Sequence, residues 1–110
     1  MKVLVVGGAG YIGSHAVRAL QDAGHEPWVL DNLYQGHPQA VPSDRLIEGD
    51  LLSASDLERA LDRSQAEGIM HFAAMALVGE SVTEPAKYYR NNVVGTLNLL
   101  DAMRAAGVWR

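Results

Sequence analysis

The sequence predicts an α/β fold: a four-stranded parallel sheet, in the order 3-2-1-4, with helices on both faces. Three observations predict it. Short apolar runs bounded by glycine or turn residues recur along the chain, as strands buried on both faces require. Segments with apolar residues at helical spacing separate them. The first strand, helix and strand fit within about thirty residues, the size of one βαβ unit. Right-handed crossovers then put the first helix on one face and the two later helices on the other.

Val3–Val6 is the first strand, a β-branched-rich run stopped by Gly7 and Gly8. From Tyr11 to Ala23, the residues Ile12, Ala16, Val17, Leu20 and Ala23 mark a helix, which Gly24 ends. Glu26–Leu30 is the second strand and stops at Asp31. Asn32 to Asp44 is polar and rich in turn residues, so it reads as a loop with at most one short helical turn. Arg45–Gly49 is the third strand. Ser55 then suits the N-cap of a helix reaching Ala66, with Leu57, Ala60 and Leu61 facing inward. Gly68–Ala73 is the fourth strand and Ala74–Thr83 a small-residue loop. Pro85 opens a long helix to Ala106, ended by Gly107. Tyr89, Val93, Leu97 and Leu100 form one apolar stripe on that helix, while Leu99, Ala102 and Ala106 extend a second. Lys87, Asn91, Asn98 and Asp101 leave only a narrow polar face. Such a helix meets the sheet on one side and wants a partner on the other.

At 110 residues the chain predicts one domain. It has no cysteine, which excludes disulfides and thiolate chemistry. A formal charge of −4 with scattered Lys and Arg argues against nucleic-acid or anionic-membrane partners. The opening Met1-Lys2-Val3-Leu4-Val5-Val6 is too short before Gly7 to act as a leader. No apolar stretch approaches the roughly 20 residues of a membrane span, and a cytoplasmic protein is expected. No His, Asp or Glu cluster has the spacing of a metal site.

The turn Gly7-Gly8-Ala9-Gly10-Tyr11-Ile12-Gly13 satisfies both GxGxxG and GxxGxxG. Its first glycine lets the chain leave the strand tightly, its middle one lets backbone approach a pyrophosphate, and Gly13 lets the helix pack closely. The amides of Tyr11 and Ile12 would then donate to phosphate oxygens at a helix N-terminus. A glycine triplet alone also fits an ordinary tight turn. Here it follows a strand and opens a helix, and Asp31 ends the next strand at the spacing of a ribose-binding carboxylate. A carboxylate there accepts from ribose hydroxyls and repels a 2′-phosphate, which favours NAD over NADP. A P-loop is excluded, because Ser14-His15 stands where a Lys is needed.

Over its whole length the chain resembles the extended short-chain dehydrogenase/reductases, and within them the UDP-glucose (galactose) 4-epimerases. The resemblance rests on the glycine turn through His15, Leu30-Asp31-Asn32-Leu33, Glu48-Gly49-Asp50 and His71-Phe72-Ala73-Ala74. Its most discriminating part is Val78-Gly79-Glu80-Ser81-Val82 with Pro85, Tyr88-Tyr89, Asn91-Asn92-Val93 and Gly95-Thr96-Leu97. It implies a partial Rossmann fold and NAD as cofactor. Gly7, Gly10, Tyr11, Ile12 and Gly13 would hold the pyrophosphate, and Asp31 and Asn32 the adenosine ribose with the loop through Gly36. Asp50 and Leu51 would bracket the adenine, Phe72, Ala73 and Ala74 would line the inner ribose, and Asn91 would face the cofactor. The residues alone also allow Asp50 to cap the next helix and Asn91 to be solvated. His71 reads as a strand residue, and Tyr88 and Tyr89 as packing residues.

Three positions depart from the family pattern. Val6 stands where Thr is common, the 32–44 connection is short, and Ala76 replaces a longer polar side chain. The family's chemistry is transient oxidation at C4 of a UDP-hexose, with a Tyr of a Tyr-x-x-x-Lys motif as base. No such pair occurs: Tyr11 is followed four residues on by His15, Tyr34 by Pro38, Tyr88 by Asn92 and Tyr89 by Val93. The expectation is an N-terminal NAD-binding segment, inactive alone, with no catalytic residue of its own and the substrate-binding portion absent. An exposed fourth-strand edge and the long helix predict a homo-oligomer. Two other readings stand beside this one: a segment of an NAD-dependent sugar-nucleotide dehydratase or reductase, and a non-catalytic self-assembling half-fold.

Overall fold

The computed structural model describes residues 1–110. Four strands, β1 (Lys2–Val6), β2 (Glu26–Asp31), β3 (Leu46–Glu48) and β4 (Gly68–His71), form one sheet in the order β3-β2-β1-β4. Every pair is parallel; Val6 lies beside Leu30 on one side and His71 on the other. The sheet order is the one the crossover rule requires.

Alternation along β1 separates two cores. Val3 and Val5 pack with Val17, Val29 and Val41 beneath α1 (Tyr11–Asp22). Leu4 and Val6 join Leu30, Ile47, Leu51, Leu57, Leu61 and Leu99 on the opposite face, under α2 (Ala54–Ser64) and the C-terminal helix. Helix α1 closes with a Schellman motif: Gly24 N–H donates to Gln21 O at 3.0 Å and His25 N–H to Leu20 O at 2.9 Å. The half-buried Trp28 ring carries the guanidinium of Arg45 at 4.9 Å and that of Arg63 at 5.7 Å.

Several boundaries differ from expectation, each for a local reason. Ser53, not Ser55, caps α2; its Oγ accepts from Asp56 N–H at 3.2 Å, whereas Ser55 Oγ meets only Ser53 Oγ. The connection after β2 holds two 3₁₀ turns, Pro38–Ala40 and Ser43–Arg45, rather than at most one. β4 ends at His71 instead of Ala73. Within the stretch read as a loop, Val78–Thr83 forms a short helix, α3. Ser81 Oγ donates to Val78 O at 2.6 Å and Thr83 Oγ1 to Glu80 O at 3.2 Å, and the buried Tyr88 hydroxyl receives the Leu77 N–H at 3.2 Å. Tertiary contact thus overrides the weak helix propensity of Val, Gly and Thr.

The long helix is not uniform. It runs as α4 (Pro85–Tyr89), one π-helical turn (Arg90–Val94) and α5 (Gly95–Ala106). Leu99 faces the core, while Tyr89, Val93, Leu97 and Leu100 are exposed. Asn91 and Asn98 are not part of a solvated face: Asn91 is buried, and Asn98 Nδ2 donates to Leu51 O at 3.0 Å. The β4 edge is not wholly bare either, since Ile69 N–H donates to Arg110 O at 2.9 Å. No helix is long and apolar enough to cross a membrane.

Candidate functional site

β1 and β4 are neighbours whose chains leave towards opposite faces, so a crevice opens at their carboxyl ends, the topological switch point of such sheets. A cleft of about 410 Å³ lies there, within the size range of small-molecule sites. Of the sequence candidates, Gly7, Gly10, Tyr11, Ile12, Gly13, Asp31, Asn32, Leu51, Phe72, Ala73, Ala74 and Asn91 all line it. Asp50 does not; its Oδ1 accepts the Leu52 N–H at 2.8 Å and turns the chain towards α2. Asp50 thus makes a turn, and the helix cap that sequence also allowed it is made by Ser53. Tyr34, Gln35, Gly49, Met75 and Ala76 also line the cleft; Tyr34 and Gln35 lie in the loop expected beside the ribose, Gly49 and Ala76 were reached by resemblance, and nothing signalled Met75.

Backbone shape makes the cleft's floor. Gly7 sits at φ +81°, and a Cβ there would lie 2.6 Å from Ala73 N. A Cβ on Gly13 would strike the Gly7 carbonyl, so the helix start and the strand end fit only without one. Around Gly10 the nearest atom to a Cβ would be Gly7 O at 3.4 Å, and the absence of that Cβ keeps the approach to α1 open. The first amide of α1 with a partner is that of Ser14, on Gly10 O at 2.9 Å. Those of Tyr11 and Ile12 have none, and no side chain caps the helix. Unpartnered amides at a helix N-terminus make a site for an anion such as a pyrophosphate.

Asp31 has two tasks. It is buried; its Oδ2 accepts from Ala9 N–H at 3.0 Å and its Oδ1 from Leu33 N–H at 2.8 Å. The first bond ties the glycine turn to β2. The second holds Leu33, whose φ of +61° is left-handed and costs a residue with a Cβ about 1 kcal/mol or more. Each carboxylate oxygen keeps a further lone pair for a ribose hydroxyl.

The far wall is built by the π turn. Its extra residue brings successive asparagines inward: Asn91 into the cleft, and Asn92 against the 73–76 segment. Asn92 Oδ1 accepts from Met75 N–H at 2.8 Å, and its Nδ2 donates to Met75 O at 2.9 Å. This amide holds Met75 as a neighbouring strand would. Asn91 Nδ2 donates to Asn92 Oδ1 at 3.0 Å. Sequence reading missed Asn92, whose only signal was the doubled Asn. Asn92→Ala should lower stability by about 1–2 kcal/mol by leaving both Met75 groups unpaired. It should also weaken cofactor binding several-fold without touching the ligand. Thermal unfolding and NAD titration on one preparation check both effects.

His71 Nε2 lies 3.1 Å from Thr96 Oγ1, and partial burial lowers its pKa, favouring the neutral ring. Lys87 is held well above the usual lysine range by its hydrogen bond to Glu80, then by that to Tyr34. A second, larger groove of about 890 Å³ between α2 and α5 is lined by Glu58, Asp62 and Asp101. Ala54 and Ser55 at the start of α2 and Arg59 line it too, but the three carboxylates disfavour a pyrophosphate. No group of His, Asp or Glu is arranged to hold a metal.

The family model described as "NAD dependent epimerase/dehydratase family" matches residues 3–110. The chain belongs to this family. Within it, the UDP-glucose 4-epimerase of Corynebacterium glutamicum is 52% identical over 109 residues, covering 98% of this chain and 32% of that relative. A Klebsiella pneumoniae relative of the same name is 47% identical over 116 residues, covering 98% of this chain and 84% of that shorter relative. The crystal structure of the Thermus thermophilus UDP-glucose 4-epimerase complex with NAD matches with a TM-score of 0.94 at 43% identity, covering 98% of this chain and 35% of that one. The Brucella ovis UDP-glucose 4-epimerase in complex with NAD matches with a TM-score of 0.91 at 51% identity, covering 96% of this chain and 33% of that one. The chain spans about a third of the length of the first curated relatives it matches. The family and the four-stranded half-sheet expected from sequence therefore both hold.

Proposed function

We propose that these 110 residues are the NAD-binding segment of a UDP-glucose 4-epimerase-like enzyme, one that interconverts UDP-glucose and UDP-galactose. The observation that carries this reading is the pairing of two groups on one cleft: the free Tyr11 and Ile12 amides and the Asp31 carboxylate. They match the two polar ends of an adenosine pyrophosphate. Tyr11 and Ile12 would donate to its phosphates, Asp31 and Asn32 would accept from and flank its ribose, and Leu51 would face the adenine. Phe72, Ala73, Ala74 and Asn91 would line the path towards the nicotinamide. When bound, NAD supplies a hydride acceptor for oxidation at the sugar's C4. This chain's part is to bind and orient it, since no Tyr within the 110 residues is followed four positions later by Lys. The Thermus and Brucella relatives, crystallised with NAD, support the cofactor assignment.

Calorimetric titration of NAD into the pure chain should show saturable one-to-one binding. NADP should bind at least about ten-fold more weakly, because its 2′-phosphate meets Asp31. The same preparation should form no UDP-galactose from UDP-glucose. Absence of saturable binding would overturn the reading in favour of a non-catalytic half-fold. A cytoplasmic location belongs to the same proposal.

A homo-oligomer is also proposed, through the long helix and the β4 edge. Tyr89, Val93, Leu97 and Leu100 lie exposed along one helix, and Met70 is exposed on the edge strand; a patch of this kind favours association. Sedimentation at tens of micromolar should show a species heavier than 11.9 kDa, and a clean monomer would refute it.

A further inference from the structure

The cleft's two walls are joined by a contact outside its floor. Tyr34 stands on the loop that follows Asp31 and lines the cleft. Lys87, on α4, donates to the Tyr34 hydroxyl at 3.1 Å and lies 4.9 Å from the centre of its ring. The same ammonium donates to Glu80 of α3 at 2.6 Å and lies 3.9 Å from Glu84. Glu80 lies on α3, which begins two residues after the Phe72–Ala76 wall, so one cation links the ribose-side loop to the helix that follows the opposite wall.

Nothing else fixes the tip of the Tyr34 loop to that side. Its other bonds stay on the near side: Tyr34 N–H donates to Asn32 Oδ1 at 2.9 Å and Leu33 N–H to Asp31, while His37 N–H ties the loop's end to the glycine turn at Ala9 O, 3.0 Å. We propose that Tyr34, Lys87 and Glu80 form a strap that holds the cofactor cleft closed, so that bound NAD leaves only when the Lys87–Tyr34 contact opens. Lys87 is a positioning residue in this device, acting through the Tyr34 ring rather than on the ligand. The inference rests on the cleft being an NAD site.

The strap is partly exposed, so it is screened by salt and each contact is modest. Surface plasmon resonance with NAD over the immobilised chain gives the release rate. Lys87→Met should speed release about five-fold, the effect of losing one such contact. Tyr34→Phe, which keeps the ring but not the acceptor, should speed it about two-fold. Lys87→Arg should stay near wild type, because a guanidinium both pairs with Glu80 and stacks on the ring. Raising the salt should accelerate release more in wild type than in Lys87→Met, since both share the screened pyrophosphate site but only wild type has the strap. An unchanged release rate in Lys87→Met overturns the strap, as does equal acceleration by salt in both proteins.

A second readout needs no cofactor. In the free chain, hydrogen exchange at the Leu33 and Tyr34 amides should be faster in Lys87→Met than in wild type. Should wild type bind no NAD, the functional reading falls and NAD retention by the strap falls with it. Unchanged exchange in Lys87→Met overturns the strap as a contact that fixes the Tyr34 loop, whichever way the titration comes out.

Discussion

Asp31→Ala is expected to abolish measurable NAD binding and to lower stability by about 2–4 kcal/mol. Two buried or half-buried amides lose their acceptor at once: Ala9, which is 1% exposed, and Leu33. Each such loss costs about 1–3 kcal/mol, and the left-handed Leu33 loses what compensates its strain. The variant therefore cannot separate a ribose contact from a collapsed turn, because the same carboxylate does both. Asp31→Asn separates them better. Its carbonyl can still receive Leu33 N–H, while its amide would face the Ala9 N–H donor to donor. It should retain part of the stability, lose most NAD affinity, and narrow the preference for NAD over NADP, since the repelling charge is gone. Calorimetry with both cofactors, beside thermal melts, gives the comparison. Wild-type affinity and melting temperature in Asp31→Ala would refute both roles.

Gly7→Ala should be strongly destabilising for the addition of one methyl. At φ +81° any Cβ costs about 1 kcal/mol. This one would also lie 2.6 Å from Ala73 N, 2.8 Å from Ala73 Cα and 2.9 Å from Phe72 C, and backbone atoms cannot rotate away. Overpacking of this kind adds about 1–3 kcal/mol, for a fall of roughly 10 °C in melting temperature. Gly24 supplies the control. Its φ is +83°, but nothing lies within 4 Å of its missing Cβ. Gly24→Ala should thus cost only the conformational part, about 1 kcal/mol. The difference between the two variants measures the close approach of the glycine turn to the strand beyond it. Equal melting temperatures would mean that the turn relaxes freely, and the rigid cradle would be wrong.

The parts of the fold legible in the sequence were those with local causes. Val3–Val6, the glycine turn and Gly24 each carry their own reason for the strand, the tight exit and the helix stop. The sheet order followed because parallel crossovers have one hand. The candidate site was legible where backbone chemistry makes it, at Gly7 to Gly13 and Asp31. It was also legible by resemblance at Phe72 to Ala74 and Asn91. What stayed hidden was long-range. The α3 helix has poor intrinsic propensity and exists because Tyr88 and its own hydroxyl side chains hold it. Asn92 clamps Met75 across 17 positions, and Tyr34 reaches Lys87 across 53; no spacing rule joins such residues. Asp50 is a residue in a strong motif whose carboxylate also makes a local turn, through Oδ1 to Leu52 N–H.

The π turn at Arg90–Val94 has a consequence for how this helix tolerates change. One residue corresponds to about 100° of helix rotation, so the turn acts as an index between two readers of the same rod. Within it, Asn91 and Asn92 are read by the cleft and its wall; after it, Gly95, Asn98 and Leu99 are read by Leu51 and the core. A one-residue deletion after the turn would advance every later side chain by one place. Thr96 would arrive where a Cβ lies only 3.0 Å from Leu51 Cβ, and Asn98 would swing out to the exposed place of Leu97. The exposed positions of this helix can therefore vary in kind, but the helix cannot vary in length.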